Sequence, residues 1–478
     1  MEFLDNIRKL TVFSLILLVF VTAVLVLKYV MAADKKPEKK YLLKSKDIRQ
    51  ICGTVFGVTK GLNRQYCYSP LDAEGSMLAL GAPGTGKTSA LLIPSLRTIK
   101  KGPNRGTAFV IDIAGDISKN VHDKNKIEYD PDYTFTPVYN VFANVDRLKT
   151  KSEQDQELAR LAHLIMPDEK NASPNSKYFQ DGGRSILTAA LTAFYHQQMD
   201  FCEICYKILS NGYSKLFEEI DSIGYEPAIL YINKFESSNE ANIGGCKENC
   251  DSAITLFATN ENIKNSIGRD PGLAGSFSPG VLETKSVYVE IADEKLQLYA
   301  PLLRIMTAQF LDYFTSRKID KDSHSIIFAL DEFATLGLGG DDIVHAARVL
   351  RKRKVKLWIF CQSLIDLDVL YGKDMRTALT DNMIFCVVLS ARSTETQNEL
   401  SAMIGKKDVT KRSYSGVTLL NNGTTNISTE KENIIDPADL ANLGDDLIVI
   451  YPGGYKRLQK NYYFKEDPLK VHFQIKGS

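Results

Sequence analysis

A mostly apolar stretch runs from Leu10 to Leu27 (LTVFSLILLVFVTAVLVL), 18 positions without a charge. Wound as a helix at about 1.5 Å per residue, they reach about 27 Å, close to the hydrocarbon thickness of a bilayer. Tyr29 to Ala33 can prolong the helix, with Lys28 and Tyr29 suited to the headgroup level. A cleaved export signal is the competing reading, because Arg8 and Lys9 precede the run and small residues follow it. The run is longer than the apolar core of such signals, about 7–15 residues. Lys28, Lys35, Lys36, Lys39, Lys40, Lys44 and Lys46 crowd the C-terminal flank, which predicts the long C-terminal part in the cytoplasm and the short tail outside. The expectation is a single-pass protein of the cytoplasmic (inner) membrane.

Beyond a charged linker the pattern changes. Met77–Leu80, Ala108–Ile113, Ser286–Ile291, Ile326–Leu330, Lys356–Cys361, Met383–Leu389 and Leu447–Ile450 are short runs, mostly apolar on consecutive positions. Strands buried on both faces of a parallel sheet read this way, so an α/β core is predicted. Between the second and third of these runs the strand pattern stops, and Glu157–Met166 and Ser185–His196 carry helical periodicity. The predicted organisation is a tail (1–9), a membrane helix (10–33), a linker and lead-in (34–75), the first part of the core (76–148), an inserted all-helical domain (149–270) and the remaining core (271–478). Ser413–Glu432, with the turn signal Asn422-Gly423, predicts a surface hairpin or mobile loop.

Composition narrows the function. Hydrophobic residues make up 44% and charged residues 24%, with 59 Lys+Arg against 58 Asp+Glu, which is ordinary globular usage. A surface that coats nucleic acid by bulk positive charge is excluded, so any nucleic-acid contact must be local, in a loop or channel. Eight cysteines are too few for a disulfide scaffold and suit a reducing compartment.

The chemistry begins at residues 81–88, GAPGTGKT, a full match to the G-x-x-x-x-G-K-[ST] phosphate loop. An apolar strand precedes it and a helix-compatible run follows, as the motif requires. Gly81, Ala82, Pro83, Gly84, Thr85 and Gly86 wrap the backbone around phosphates. Lys87 reaches the β and γ phosphates, Thr88 ligates Mg²⁺, and Ser89 is the last residue of the expected binding stretch. The partner is SIIFALDEF (Ser325–Phe333), where Asp331 can hold Mg²⁺ and Glu332 can polarise the attacking water. An adjacent Glu points to a hydrolysing motor rather than a kinase. No N-K-x-D element follows the acidic strand, so ATP is preferred to GTP.

Gln362, at the tip of the next strand, can sense the γ-phosphate and orient water, or merely cap the strand. Arg348, Arg351, Lys352, Arg353, Lys354 and Lys356 put six basic residues in nine positions. That run reads as a solvated helix end, as an arginine finger for an adjacent subunit (Arg348 or Arg351), or as a phosphate contact. Arg392 is a second finger candidate. Cys202, Cys205, Cys246 and Cys250 have spacings that fit either a structural zinc site or buried packing.

The order of these motifs resembles the coupling proteins of type IV secretion and conjugation, the TraG/TraD family. GAPGTGKT, ALDEFATLG (Ala329–Gly337) and IFCQSLIDL (Ile359–Leu367) carry the resemblance, together with FVIDIAGDIS (Phe109–Ser118), with Asp112 at the family's acidic position, VYVEIADEKLQLYAPLLRIMTAQFLDYF (Val287–Phe314) and IIDPADLANLGDDLIVIYPGG (Ile434–Gly454). It implies a RecA-like P-loop NTPase core with a mostly parallel sheet, an inserted all-helical domain and a membrane anchor. It further implies a ring, hexameric in expectation, that uses ATP and Mg²⁺ to feed a substrate to a secretion channel. That substrate would be single-stranded DNA with a bound relaxase, or a protein effector. Members commonly carry two membrane spans; this sequence predicts one. Two rival readings stay open: a FtsK/HerA-like DNA translocase, and an ATP-binding docking platform that does not translocate.

Overall fold

The structure is a computed structural model that describes residues 43–46, 51–61, 64–73, 75–99, 105–113, 115–168, 172–414 and 425–465. The predicted membrane helix and the Asn422-Gly423 turn lie outside them. Among the described residues no helix is long and apolar enough to cross a membrane.

In chain order the first strands are β1 (Lys44–Lys46), β2 (Gly53–Val58), β3 (Tyr66–Pro70) and β4 (Met77–Leu80). A π-wound turn, Lys87–Leu92, then runs into helix α1 (Ile93–Ile99). β5 (Thr107–Ile113), β6 (Lys126–Tyr129) and β7 (Val138–Tyr139) follow. Helices come next: α2 (Lys151–Ile165), α3 (Pro174–Tyr195), α4 (Phe201–Ser210), α5 (Tyr213–Ile223), α6 (Glu226–Asn233), α7 (Glu240–Thr259) and α8 (Glu261–Ser266). The sheet resumes with β8 (Ser276–Phe277), β9 (Ser286–Ile291), α9 (Leu296–Thr315), β10 (Ile326–Leu330), α10 (Gly340–Leu350), β11 (Val355–Cys361), α11 (Leu364–Tyr371) and β12 (Phe385–Val388). Helix α12 (Thr394–Ile404), β13 (Lys406–Tyr414), β14 (Thr425–Asn433), β15 (Asp446–Tyr451) and β16 (Gly454–Gln459) follow.

Twelve described strands make one sheet, in the order β1-β3-β2-β16-β15-β12-β4-β11-β10-β5-β9-β6. Every pairing from β12 through to β6 is parallel. Every pairing from β12 back to β1 is antiparallel. The predicted parallel sheet is therefore present and carries an antiparallel wing. β4, β10 and β11 are buried at every position, and their sequences are accordingly apolar runs, broken in β11 only by Lys356. The wing strands β1, β2 and β3 lie within the stretch read as linker and lead-in. Two glycines in β2 (GTVFGV) and the polar ends of β3 mask their strand character in sequence. The wing packs on α1: Ser95 Oγ exchanges hydrogen bonds with the N–H and C=O of Val55, both at 3.0 Å.

The helical run enters and leaves through one neck, because β7 and β8 pair in parallel, Val138 with Ser276 and Tyr139 with Phe277. Its helices start where the sequence supplies caps. Thr150 and Glu153 form a reciprocal capping box at α2, as do Asp200 and Glu203 at α4. Ser173 caps α3, with Pro174 in its first turn. An aromatic chain joins the helices to the sheet: Phe201 meets Phe142 (5.8 Å), Tyr139 meets Phe310 (5.9 Å), and Phe310 meets Phe109 on β5 (4.6 Å). β13 and β14 form a separate two-stranded hairpin. Its Lys411 pairs with Glu430 and Glu432 across the strands.

Candidate functional site

Parallel strands deliver their C-terminal ends to one edge of the sheet, and loops leaving that edge share a neighbourhood. β11 lies between β4 and β10, so the turns after these three strands are adjacent. The first is the phosphate loop. Gly81 N–H donates to Cys361 O on β11 at 3.2 Å, and Ala82 N–H donates to Ser390 Oγ at 3.0 Å. Thr85 Oγ1 closes the turn onto Ala82 O at 2.7 Å. Pro83 and Gly84 stay exposed at the tip, while Gly86 and Lys87 are buried. Gly86 holds φ 98°, a conformation that strains any residue with a side chain and lets the loop turn into the helix.

The acidic strand meets this loop directly. Thr88 Oγ1 donates to Asp331 Oδ2 at 2.8 Å across 243 positions of sequence. Burial raises the Asp331 carboxyl above its ordinary range, while the Thr88 hydroxyl and the Lys87 ammonium pull it back. Lys87 Nζ reaches back to Gly81 O at 2.7 Å, folded over the loop whose phosphates it would otherwise grip. Glu332, next along, has φ 49°, so the chain turns sharply out of the sheet at that residue. It is half-buried, and burial raises its carboxyl, with Lys87 opposing and Asp331, Asp366 and Asp293 adding to the rise. Gln362 is exposed, following the middle strand, and its N–H donates to Asp366 Oδ2 at 3.2 Å.

Residues 81–89, Asp331, Glu332 and Gln362 thus gather at one edge. Arg348 and Arg351 do not join them: they precede β11, at the opposite end of the strand. Arg392 follows β12, two positions beyond the Ser390 that braces the loop, and is on the phosphate-loop edge. Lys356, grouped by sequence with the solvated basic run, is buried on β11. Sequence reasoning missed Ser390, Tyr462 and Tyr463. Tyr463 N–H donates to Ser89 O at 3.1 Å, and a Cβ on Gly86 would lie 3.0 Å from the Tyr462 ring. No local pattern marks these residues, since Ser390 reaches the loop across 308 positions and the two tyrosines across about 370.

The donor set suits a hard cation: a threonine hydroxyl and a carboxylate, already aligned on each other, are the oxygen ligands that Mg²⁺ prefers. The four cysteines make a different arrangement. Cys246 packs against Gly182, Cys205 and Cys250 are buried, and burial pushes the Cys202 thiol up to about 12. Among the described residues no group of three or more His, Cys, Asp or Glu has metal-binding geometry.

Residues 30–476 match the family described as "Type IV secretory system Conjugative DNA transfer". The chain belongs to that family. The coupling-protein resemblance carried by GAPGTGKT, ALDEFATLG and IFCQSLIDL is borne out. Solved structures of the bacterial conjugative coupling protein TrwB share the fold. Its trigonal form with sulphate has a TM-score of 0.67 at 18% identity, covering 90% of this chain and 96% of that one. The form of plasmid coupling protein TrwB with ADP and Mg²⁺ scores 0.64 at 18% identity, covering 81% and 85%. The form with a non-hydrolysable ATP analogue scores 0.63 at 17% identity, covering 81% and 85%. No curated protein sequence matches the chain.

Proposed function

We propose that this chain is a membrane-anchored ATPase of conjugative DNA transfer, working as a ring of its own copies, hexameric in expectation. It takes up single-stranded DNA with its relaxase, or a protein effector, and passes it to the type IV secretion channel. The observation that carries the reading is the Thr88–Asp331 hydrogen bond, which joins the phosphate loop to the acidic strand with Glu332 and Gln362 beside it. Family membership, and the ADP–Mg²⁺ bound by TrwB, support it.

In this reading Lys87 exchanges its Gly81 carbonyl for phosphate oxygens, and the loop N–H groups bind the phosphates from a helix N-terminus. Thr88 and Asp331 would hold Mg²⁺, which when bound neutralises charge on the β and γ oxygens. Glu332 takes the proton of the attacking water, and its raised carboxyl makes it a stronger base than an exposed glutamate. Gln362 orients that water. Arg348 or Arg351 serves as a finger only from a neighbouring copy, since both start from the far end of β11; Arg392 is the candidate within reach of its own loop. The lysine-flanked apolar segment before residue 34 anchors the ring, and residues 149–270 act as the inserted domain.

ATP turnover by the full chain, with and without single-stranded DNA across a salt series, tests this. Glu332→Gln serves as the blank and should lose at least about 100-fold in rate while still binding ATP. Salt-sensitive stimulation by DNA supports the DNA-engaging motor. Turnover indifferent to DNA points to effector cargo. No turnover above the blank in either condition would leave the docking platform as the better reading.

A further inference from the structure

A cavity lined by Tyr462 at the end of the wing opens beside the phosphate loop. The opposite edge of the sheet, where the parallel strands begin, has a different chemistry. The turns that lead into β10 and β11, residues 316–325 and 351–354, carry seven Lys and Arg against two Asp. The turns that leave the same two strands, residues 331–339 and 362–363, carry Asp331 and Glu332 and no Lys or Arg. A chain of net charge +1 therefore presents one strongly basic edge.

Contacts between these turns hold the edge together. Arg317 is buried and braces it from within: Nε and Nη2 bridge Glu283 at 2.8 and 2.7 Å, and Nη1 donates to His324 O and Arg353 O, both at 3.0 Å. Lys354 Nζ donates to Ser323 O at 2.7 Å. Asp320 is occupied in closing its own turn, accepting from the N–H groups of Asp322 and Ser323 and from the Ser323 hydroxyl. Lys318, Lys321 and Lys352 stay exposed on the outside. Cations at the end of a helix suit its carbonyls, but that demand falls within the last turn, and Lys321 lies six residues beyond α9. Next to Glu283 the edge opens into a cavity of about 540 Å³ whose lining includes Arg105, Lys124 and His324.

The described part of the chain also begins on this side. Lys44 pairs with Tyr68 and Lys46 with Tyr66, so β1 starts toward the Pro70 end of β3. Pro70 O accepts from Lys356 Nζ at 3.3 Å, and Leu71 O from Ser325 Oγ at 2.8 Å, which puts that end beside the starts of β10 and β11. Nine residues separate the predicted membrane helix, ending at residue 33, from Leu43, and they can span at most about 30 Å. We propose that the basic edge docks on the anionic headgroups of the membrane, with Lys318, Lys321 and Lys352 against lipid phosphates and the cavity beside Arg105 and Lys124 open to a headgroup. The inference rests on the reading of residues 10–33 as a membrane anchor. A short tether arriving at the same edge favours lipid over nucleic acid as the occupant. Lysines near an anionic leaflet are attracted to it, and the attraction fades as salt shortens the screening length.

Trp358 is the single tryptophan of the chain and stands three residues from the start of β11. Energy transfer from it to dansyl-labelled headgroups therefore reads how close this edge lies to a bilayer. The full chain is reconstituted in vesicles of phosphatidylcholine alone and of phosphatidylcholine mixed with phosphatidylglycerol. At low salt, transfer should be at least about twofold higher with phosphatidylglycerol and fall back as salt rises. A chain carrying Lys318→Glu, Lys321→Glu and Lys352→Glu should lose the difference, and an unchanged urea midpoint certifies that it is folded. Equal transfer in the two vesicles, or a difference that survives the triple substitution, would overturn the docking. Equal transfer together with loss of single-stranded DNA binding in the triple variant would assign the edge to nucleic acid instead. A chain that high salt washes off both vesicles would sink the anchor, and this proposal with it; a chain that stays on them with equal transfer sinks the docking alone.

Discussion

Lys356 illustrates how burial can reverse what a residue type implies. Its ammonium sits inside the sheet and donates to Pro70 O at 3.3 Å, and burial pulls it down to about 7. In the unfolded chain it titrates near the ordinary lysine value of about 10.4. Between those values the unfolded state binds the extra proton, so stability rises with pH from about 7 to about 10 and is lost as pH falls back toward 7. Lys356→Met should remove that slope and stabilise the fold at pH 7 by roughly 1–4 kcal/mol, read by urea titration at pH 7 and pH 9. An unchanged slope would mean that the ammonium finds solvent. Glu332 shows the converse, a residue whose role was legible and whose geometry was not. The DE pair marks it as the proposed base, yet only the turn out of β10 imposes its φ of 49°.

At the scale of elements, the predicted core strands appear with boundaries shifted by only one or two residues, because each is mostly apolar and largely buried on both faces. Of the wing only β15 was legible, as Leu447–Ile450; the other wing strands gain burial from α1 and from one another, which a local pattern cannot express. The helices around the neck were legible in part, α2 and α3 from periodicity. Their close approach was not. A Cβ on Gly183 of α3 would lie 2.8 Å from Cys246 O and 3.0 Å from Cys250 N on α7, so the helices touch backbone to backbone there. Gly183→Ala should therefore lower stability by about 1–3 kcal/mol despite its better helix propensity. Chemical denaturation measures this, and a stabilised variant would show that α3 and α7 can separate without cost. The same packing makes the cysteine spacings a consequence of helix contact rather than of metal.

For the whole molecule, the strand order decides what meets what. Inserting β11 between β4 and β10 puts Gln362 between the phosphate loop and the acidic turn, and sends Arg348 and Arg351 to the far end. If those arginines act as fingers, they act across copies. Chains carrying Arg348→Ala and Arg351→Ala should be nearly inactive alone, with a loss of about 10³-fold, as should Glu332→Gln chains. Mixing the two should recover part of the turnover, because a Glu332→Gln copy can lend its arginines to a neighbour with an intact base. No recovery on mixing would remove the trans finger and favour Arg392.

The sequence alone determined the α/β class, the phosphate loop, the acidic partner, the helical insertion and the family. These are local patterns whose physics, consecutive apolar burial and a glycine turn before a helix, is written in neighbouring residues. Only the tertiary structure decided that Thr88 and Asp331 touch, that Ser390 and Tyr462 close on the loop, that Lys356 is buried, and that a wing builds a cavity beside the loop. Those depend on which strand lies next to which, and adjacency in a sheet is set by packing over hundreds of positions rather than by any one stretch of chain.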